Sequence, residues 1–489
     1  MRILQLSAEI FPLLKTGGLA DIAGALPAAL NAAGCDVRVL LPGFPAVLAG
    51  LRHAVTVGQF AAPWGENLQV RLGELPGVPG GDEPLKAYVL DVPSLFDRPG
   101  NPYEDLQRRP YPDNARRFAA LGWAAAYLAH ALDRYWSPEV VHGHDWHAAL
   151  ACACLKLWSA PQARRVPTVY TVHNLAYQGV FDAQHLGEIG MPQAAFQMEG
   201  LEFHGQISFM KAGLFYADHI TTVSPTYARE IQTLEQGCGL DGLLRVRGKS
   251  LSGILNAVDE GVWNPATDSH LPRAFDWRRL GGKAECKGAL QREMGLEEIA
   301  DAPLFAMVSR LTEQKGLHLV LAGVDNVIQG GGQLLVLGSG DAELERAFSH
   351  SATQYPGRVA VHLGYDEALA HRVFGASDVT LVPSRFEPCG LTQMYGLKYG
   401  SVPLVRAVGG LVDTVVDADL ATLEDQSATG VVFQDFTETA YRHALRRSFA
   451  LYHDRRAWAR VRRAGMRQPF SWAQAAQQYL TVYQDLIRP

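Results

Sequence analysis

The feature that most constrains this chain is an alternation that runs twice. Short β-branched and leucine-rich runs are separated by patterns of helical spacing, and the series breaks once, near residues 250–262, before it resumes. The first series places strands at 2–7, 37–41, 140–142, 168–172, 219–223 and 251–255, with helices over 19–34, 115–132, 146–158 and 226–235. The second places strands near 304–308, 334–337, 359–363, 379–382 and 402–405. Such alternation demands parallel pairing, because parallel neighbours need a crossover where antiparallel ones need only a hairpin. The expectation is an α/β chain of two parallel-sheet domains, and 489 residues suffice for a core in each. The predicted boundaries are 1–255 and 256–470, followed by a segment, 471–489, that is helical in pattern from Trp472 to Ile487 and can pack back on the first domain. Pro27 is expected to kink its helix. Residues 43–115 fit the alternation poorly, and their short alternating segments at 68–72 and 86–90, set between Pro and Gly clusters such as 76–81, predict excursions at a sheet edge.

Charge and apolar length narrow the function. With 44 basic against 50 acidic side chains, a net charge of −6 and no long run of Lys or Arg, a nucleic-acid partner is not expected. The longest apolar stretch, 118–129, is too short for a bilayer, and residues 3–6 read as a strand with no leader before them, so no membrane role is expected. The six cysteines form no C-x-x-C pair, which fits the reducing cytoplasm.

Open parallel sheets bind ligands beyond the carboxyl ends of their strands, so the strand-to-helix turns carry the chemistry. Lys15, Gly17, Gly18 and Asp21 occupy the first such turn: the glycines allow close backbone approach, and the lysine offers a point charge to phosphate. His142, His144, Asp145 and His147 invite a metal reading, but no further ligand cluster accompanies them, and they are expected to meet substrate hydroxyls or their own backbone. Arg310 and Lys315 flank a helix start at the end of the second series' first strand, where two cations suit a diphosphate. The most informative turn is LVPSRFEPCGLT, 381–392, where Pro383 and Pro388 end a strand and Gly390, Leu391 and Thr392 open a helix. Anionic atoms would suit the first N–H groups of that helix and Arg385, while Glu387 suits hydroxyls; a sugar joined to a phosphate satisfies both. Gly338-Ser339-Gly340 begins like a dinucleotide fingerprint but lacks its third glycine, and 409–414 offers another open helix start. Cys389 reads as a small packing residue rather than a nucleophile, since no His lies near it in sequence.

Together, KTGGLAD (15–21), HGHDWHA (142–148), TVHNLAYQG (171–179), VSPTYA (223–228), LNAVDEGVW (255–263), SRLTEQKG (309–316) and SRFEPCGLTQMYGLKYG (384–400) closely resemble the bacterial glycogen synthases, relatives of plant starch synthases. The likeness runs from residue 1 to about 480. It implies the GT-B fold, two Rossmann-like domains facing across a deep cleft, and retaining transfer of glucose from ADP-glucose to the 4-hydroxyl of an α-1,4-glucan such as glycogen, with no cofactor and no metal. Carried over by match, Glu387 is the essential acid near the glucosyl ring, Arg310 and Lys315 hold the diphosphate, and Asp145, His173 and Asn256 line the sugar site. Lys15 binds the donor in a pocket shaped by Gly17, Gly18 and Asp21, Tyr365 packs on adenine, and Tyr103 reaches donor or acceptor. The backbone around Cys389, Gly390, Leu391 and Thr392 assists the phosphates. Tyr395 stands where the wider retaining superfamily often has a second glutamate, and Gly143 and Ala257 stand where Ala and Gly are expected. The rivals are a retaining glucosyltransferase using UDP-glucose or a small acceptor, a non-catalytic glucan-binding relative, and a phosphorylase, which would need a pyridoxal phosphate lysine.

Overall fold

The computed structural model describes residues 1–76, 83–157 and 165–488. Trp158 of the predicted helix 146–158, residues 77–81 of the predicted turn cluster and Pro489 lie outside the described residues. The chain divides into two compact units, Met1–Asn256 with Trp472–Pro489, and Ala257–Ser471.

Among the described residues, the first unit is built on a nine-stranded sheet ordered Leu251–Gly253, His219–Thr222, Thr168–Val172, Val140–His144, Arg2–Leu6, Asp36–Pro42, Leu85–Asp91, Asn67–Leu75, Arg52–Ala61. The first seven strands are parallel and the last two are antiparallel additions. The segments expected as edge excursions at 68–72 and 86–90 are strands inside the sheet: Leu85–Asp91 is its seventh parallel strand and Asn67–Leu75 is flanked on both sides, while the edge strand Arg52–Ala61 carries no sequence signal because most of its side chains are exposed and no apolar face marks it. The helix Gly18–Ala32 continues through Pro27. Its Ile22, Leu26 and Leu30 pack with Ala475, Ala476, Tyr479, Leu480 and Tyr483 of the C-terminal helix Trp472–Ile487. Burying each large side chain contributes about 1.5–3 kcal/mol, enough to fix this short helix on the sheet. The helix predicted over 226–235 is shorter, Pro225–Glu230, its end tightening into i→i+3 bonds from Gln232 N–H to Arg229 O at 3.3 Å and from Thr233 N–H to Glu230 O at 2.9 Å, with the Thr233 hydroxyl on the same carbonyl at 2.8 Å.

The second unit has, among the described residues, a six-stranded parallel sheet ordered Val359–Leu363, Gln333–Gly338, Leu304–Val308, Val379–Val382, Val402–Arg406, Val431–Phe433. The last strand, three residues long, is below the length at which sequence pattern speaks. In each sheet the chain winds outward from a central strand in both directions. The switch points fall between Arg2–Leu6 and Val140–His144 in the first unit, and between Leu304–Val308 and Val379–Val382 in the second. Crevices at such points, outside the strand carboxyl ends, receive ligands. Among the described residues no helix is long and apolar enough to cross a membrane.

Candidate active site

Both switch points carry the motifs. In the first unit, Asp145 follows the strand Val140–His144 with φ +58, a left-handed conformation that Asp tolerates better than most residues. Its Oδ1 accepts the backbone N–H of His173 at 2.8 Å and of Asn174 at 3.3 Å, so the carboxyl holds the turn after the neighbouring strand Thr168–Val172. Burial pushes its pKa up to about 7 against the pull of those N–H bonds, and the charge of Glu9 adds to the rise. His144 Nδ1 meets His173 Nε2 at 3.0 Å, a pair in which one ring donates and the other accepts. His142, expected to meet substrate hydroxyls or its own backbone, instead lies between two hydroxyls of the protein, that of Tyr483, 2.7 Å from Nδ1, and Thr171 Oγ1, 2.6 Å from Nε2. Among the described residues no group of three or more His, Cys, Asp or Glu is placed to hold a metal ion. Lys15 Nζ pairs with Asp21 Oδ1 at 3.0 Å, and Tyr103 stacks on His147 with ring centroids 4.6 Å apart. Asn256, buried, ends the first stretch of this unit.

Desolvation drives His142 and His173 down to about 3, and His144 and His147 well below the usual histidine value. Unfolded histidines titrate near 6.5, so between pH 6.5 and 3 the unfolded chain binds more protons and stability is lost as the pH is lowered, by about 1.4 kcal/mol per unit for each of His142 and His173, with His144 and His147 acting in the same direction. Asp145, raised, acts with the opposite sign between 3.8 and 7, one group against four. The denaturation midpoint of the full chain is therefore expected to fall steadily from pH 6.5 to 4. A flat profile would rule out buried neutral histidines.

In the second unit, the loops after Leu304–Val308 and Val379–Val382 are tied to each other. The Arg385 N–H donates to Gln314 O at 2.8 Å and Gln314 Nε2 to Phe386 O at 3.3 Å. Gly316, at φ +71, is where a Cβ would stand 2.1 Å from Pro383 O, so only glycine lets the loops close to this distance. Lys315 Nζ reaches Glu387 Oε2 at 2.6 Å, and Ser384 Oγ donates to the same oxygen at 2.9 Å. Glu387 is 6% exposed and Arg310 is exposed at the rim. Cys389 is buried, as a packing residue should be, and Gln393 Nε2 braces the turn through Cys389 O, Gly390 O and Thr414 Oγ1. The N–H groups of Gly390, Leu391 and Thr392 take no acceptor among the described residues. Tyr365 lies 71% exposed two residues past the strand Val359–Leu363.

Several expectations need correction. Arg385 does not face the anion site: its guanidinium pairs with Glu313 at 3.0 Å and lies over Phe436. The start at Gly409–Gly410 is not open, since the Gly410 N–H donates to Glu387 O at 3.0 Å and Pro388 O at 3.2 Å. The glycines of 338–340 serve packing: a Cβ at Gly338 would stand 1.8 Å from Ser309 O, and at Gly340 2.4 Å from Leu311 O. Tyr395 stacks on Trp263, centroids 3.9 Å apart, so this position has a structural occupation. Ala257 is not among the residues with positive φ and is unstrained, while a methyl at Gly143 would press on Ala148 O at 3.1 Å.

Two Rossmann-like units, each with charged turns at the switch point of a parallel sheet, define a glycosyltransferase of the GT-B class. The family description "Starch synthase catalytic domain" matches residues 2–246, and "Glycosyl transferases group 1" matches residues 295–463. The glycogen synthase of Variovorax paradoxus (strain S110) is 61% identical over 100% of this chain and 99% of its own. That of Leptothrix cholodnii is 57% identical over 99% of this chain and 100% of its own. The catalytic domain of starch synthase IV from Arabidopsis thaliana, solved bound to ADP and acarbose, superposes with a TM-score of 0.89 at 32% identity, covering 99% of each chain. The chain belongs to the glycogen synthase family, and its activity is that of a retaining hexosyltransferase.

Proposed function

We propose that this enzyme moves glucose from ADP-glucose to the non-reducing 4-hydroxyl of glycogen or another α-1,4-glucan, in the cytoplasm, releasing ADP. The observation that carries the reading is the Lys315–Glu387 pair at the second unit's switch point, a partly buried cation suited to phosphate beside a buried acid suited to a sugar hydroxyl. On this reading the second unit, 256–470, takes the nucleotide sugar and the first, 1–255, takes the glucan and supplies Lys15, with 471–489 completing it. Arg310 and Lys315 neutralise the diphosphate as its bond to the sugar breaks, helped by the N–H groups around Cys389, Gly390, Leu391 and Thr392. Glu387 engages the glucosyl ring, and Asp145, His173 and Asn256 hold sugar hydroxyls. Lys15, in the pocket of Gly17, Gly18 and Asp21, binds the donor; Tyr365 packs on the base and Tyr103 contacts donor or acceptor. The leaving diphosphate accepts the incoming hydroxyl's proton in a front-face displacement, because no carboxylate of these motifs stands as an obvious nucleophile.

The test is nucleotide release in the presence of glycogen, with ADP-glucose set against UDP-glucose. ADP-glucose should win clearly, and faster turnover with UDP-glucose would overturn the donor assignment in favour of the rival glucosyltransferase. Lys15→Ala should raise the donor KM by roughly 10- to 100-fold, the loss of a charge-assisted hydrogen bond, with a smaller change in kcat. An unchanged KM removes Lys15 from the donor site.

A further inference from the structure

The loop that carries Lys15 hangs on a carboxylate that no motif marks. Glu9 lies three residues past the strand Arg2–Leu6 and is 3% exposed. Its Oε2 accepts the backbone N–H of Thr16 at 2.6 Å and of Gly17 at 3.3 Å. Its Oε1 accepts the Thr16 hydroxyl at 2.5 Å and the Tyr103 hydroxyl. Its own backbone is pinned: the Ser7 hydroxyl donates to Glu9 O at 2.8 Å and accepts the Glu9 N–H at 3.2 Å. Tyr103, held by that carboxylate, stacks on His147 in the first turn of the helix Asp145–Lys156 with an interplanar angle of 23°. One buried side chain thus connects the 15–21 turn, residue 103 and the 142–148 motif.

A buried carboxylate needs partners, and four donors converge on this one. Two of them are backbone N–H groups of the glycine-bearing turn, whose flanks are held by the Ile10–Leu14 backbone pair and by the Ala20 N–H on Gly17 O at 3.3 Å, so that Glu9 ties down the N–H groups between them. We propose that Glu9 is a positioning residue of the first unit, fixing the 15–18 turn so that Lys15 is presented to the donor phosphates. This rests on the reading of Lys15 as a donor-binding residue.

The charge of Glu9 gives the role a second signature. Asp145 is faced by the His173 and Asn174 N–H groups, which lower its proton affinity, and by the charge of Glu9, which raises it. The hydroxyls of Tyr103, Tyr170 and Tyr227 around it are neutral, their pKa values raised by burial, and the four neighbouring histidines are neutral too. Removing the Glu9 charge therefore moves the Asp145 ionisation below about 7.

Glu9→Gln and Glu9→Asp in the full-length enzyme separate reach from charge. Glu9→Gln keeps the volume, but its amide nitrogen cannot accept from the hydroxyls; the ADP-glucose KM should rise roughly tenfold, and the ionisation near 7 in the pH profile of kcat/KM should move to lower pH. Glu9→Asp keeps the charge but withdraws it by one methylene, so the KM should rise comparably with the profile unmoved. Thr16→Val, which removes one donor and leaves the carboxylate, should raise the KM by a smaller factor and serves if a Glu9 variant fails to fold. A donor KM within twofold of wild type in Glu9→Asp and Thr16→Val, in protein with a normal melting transition, overturns the proposal. Lys15→Ala distinguishes the failures: if it leaves the KM unchanged the donor role of Lys15 is wrong, whereas if it raises the KM and the Glu9 variants do not, only the positioning role falls.

Discussion

Exchange of Glu387 for Gln is expected to lower kcat by roughly 10²- to 10³-fold, the scale of losing one preorganised electrostatic group, while the second unit stays folded. The reasoning starts from the single oxygen that two donors share. Glu387 Oε2 accepts from Lys315 at 2.6 Å and from Ser384 Oγ at 2.9 Å. An amide oxygen in this position can still accept from both donors, but it carries no full charge, and turned the other way it points two N–H groups at an ammonium. The ion pair is therefore lost, and Lys315, with its side chain only 19% exposed, is left without its counter-charge. Leaving such a partly buried cation unpaired costs about 1–3 kcal/mol, a modest share of the stability of a unit this size. On the proposed reading the catalytic loss is larger, because both members of the pair act on the donor: without the carboxylate, the glucosyl ring loses a partner and Lys315 loses the contact that aims it. Single-turnover rates with bound donor, set beside denaturant midpoints, separate the two effects. Turnover near that of wild type would remove Glu387 from the chemistry, and a collapse of the fold would make its role structural.

Much of this arrangement was legible in the residues, for reasons that differ from place to place. The parallel strands announced themselves because they are buried on both faces and read as apolar runs, unbroken in Leu304–Val308 and interrupted only by Thr380 in Val379–Val382. Lys15, Arg310, Lys315 and Glu387 stood out because charged residues beside glycines at strand ends have few structural uses. Arg52–Ala61 was illegible, since an exposed edge strand needs no apolar face. Glu9 was illegible for another reason: a lone acid in a short loop carries no pattern, and its contacts appear only when Thr16, Gly17 and Tyr103, the last of them 94 residues distant, close around it. Arg385 misled because sequence places a cation beside the turn without saying which way it points, and Glu313 offered a nearer partner. The paired glycines at 409–410 misled in the same way: an open helix start and a tight packing contact have the same spelling.

That packing contact yields the second large effect. Gly409→Ala should destabilise the enzyme by about 2–4 kcal/mol, the sum of a left-handed alanine and an overpacked contact, and lower kcat about a hundredfold, the scale of a misplacement near 1 Å. Gly409 has φ +49, and a Cβ there would stand 1.9 Å from Glu387 O and 2.8 Å from the Glu387 carbonyl carbon. Backbone atoms cannot rotate aside as a side chain can, so either 409 or the segment bearing Glu387 must move. Moving 409 breaks the Gly410 N–H bonds to Glu387 O and Pro388 O, and a Cβ at Gly410 itself would lie 2.2 Å from Cys389 O, so the two glycines form one seat for the whole turn. Moving Glu387 withdraws its carboxylate from Lys315 and Ser384. Gly331→Ala is the control: its φ of +82 imposes the same backbone penalty, but nothing lies within 4 Å of its Cβ position. It should lose about 1–2 kcal/mol and keep wild-type kcat. If Gly409→Ala loses no more stability and no more activity than Gly331→Ala, the glycine pair does not seat Glu387, and the position of that carboxylate must be fixed by Lys315 and Ser384 alone.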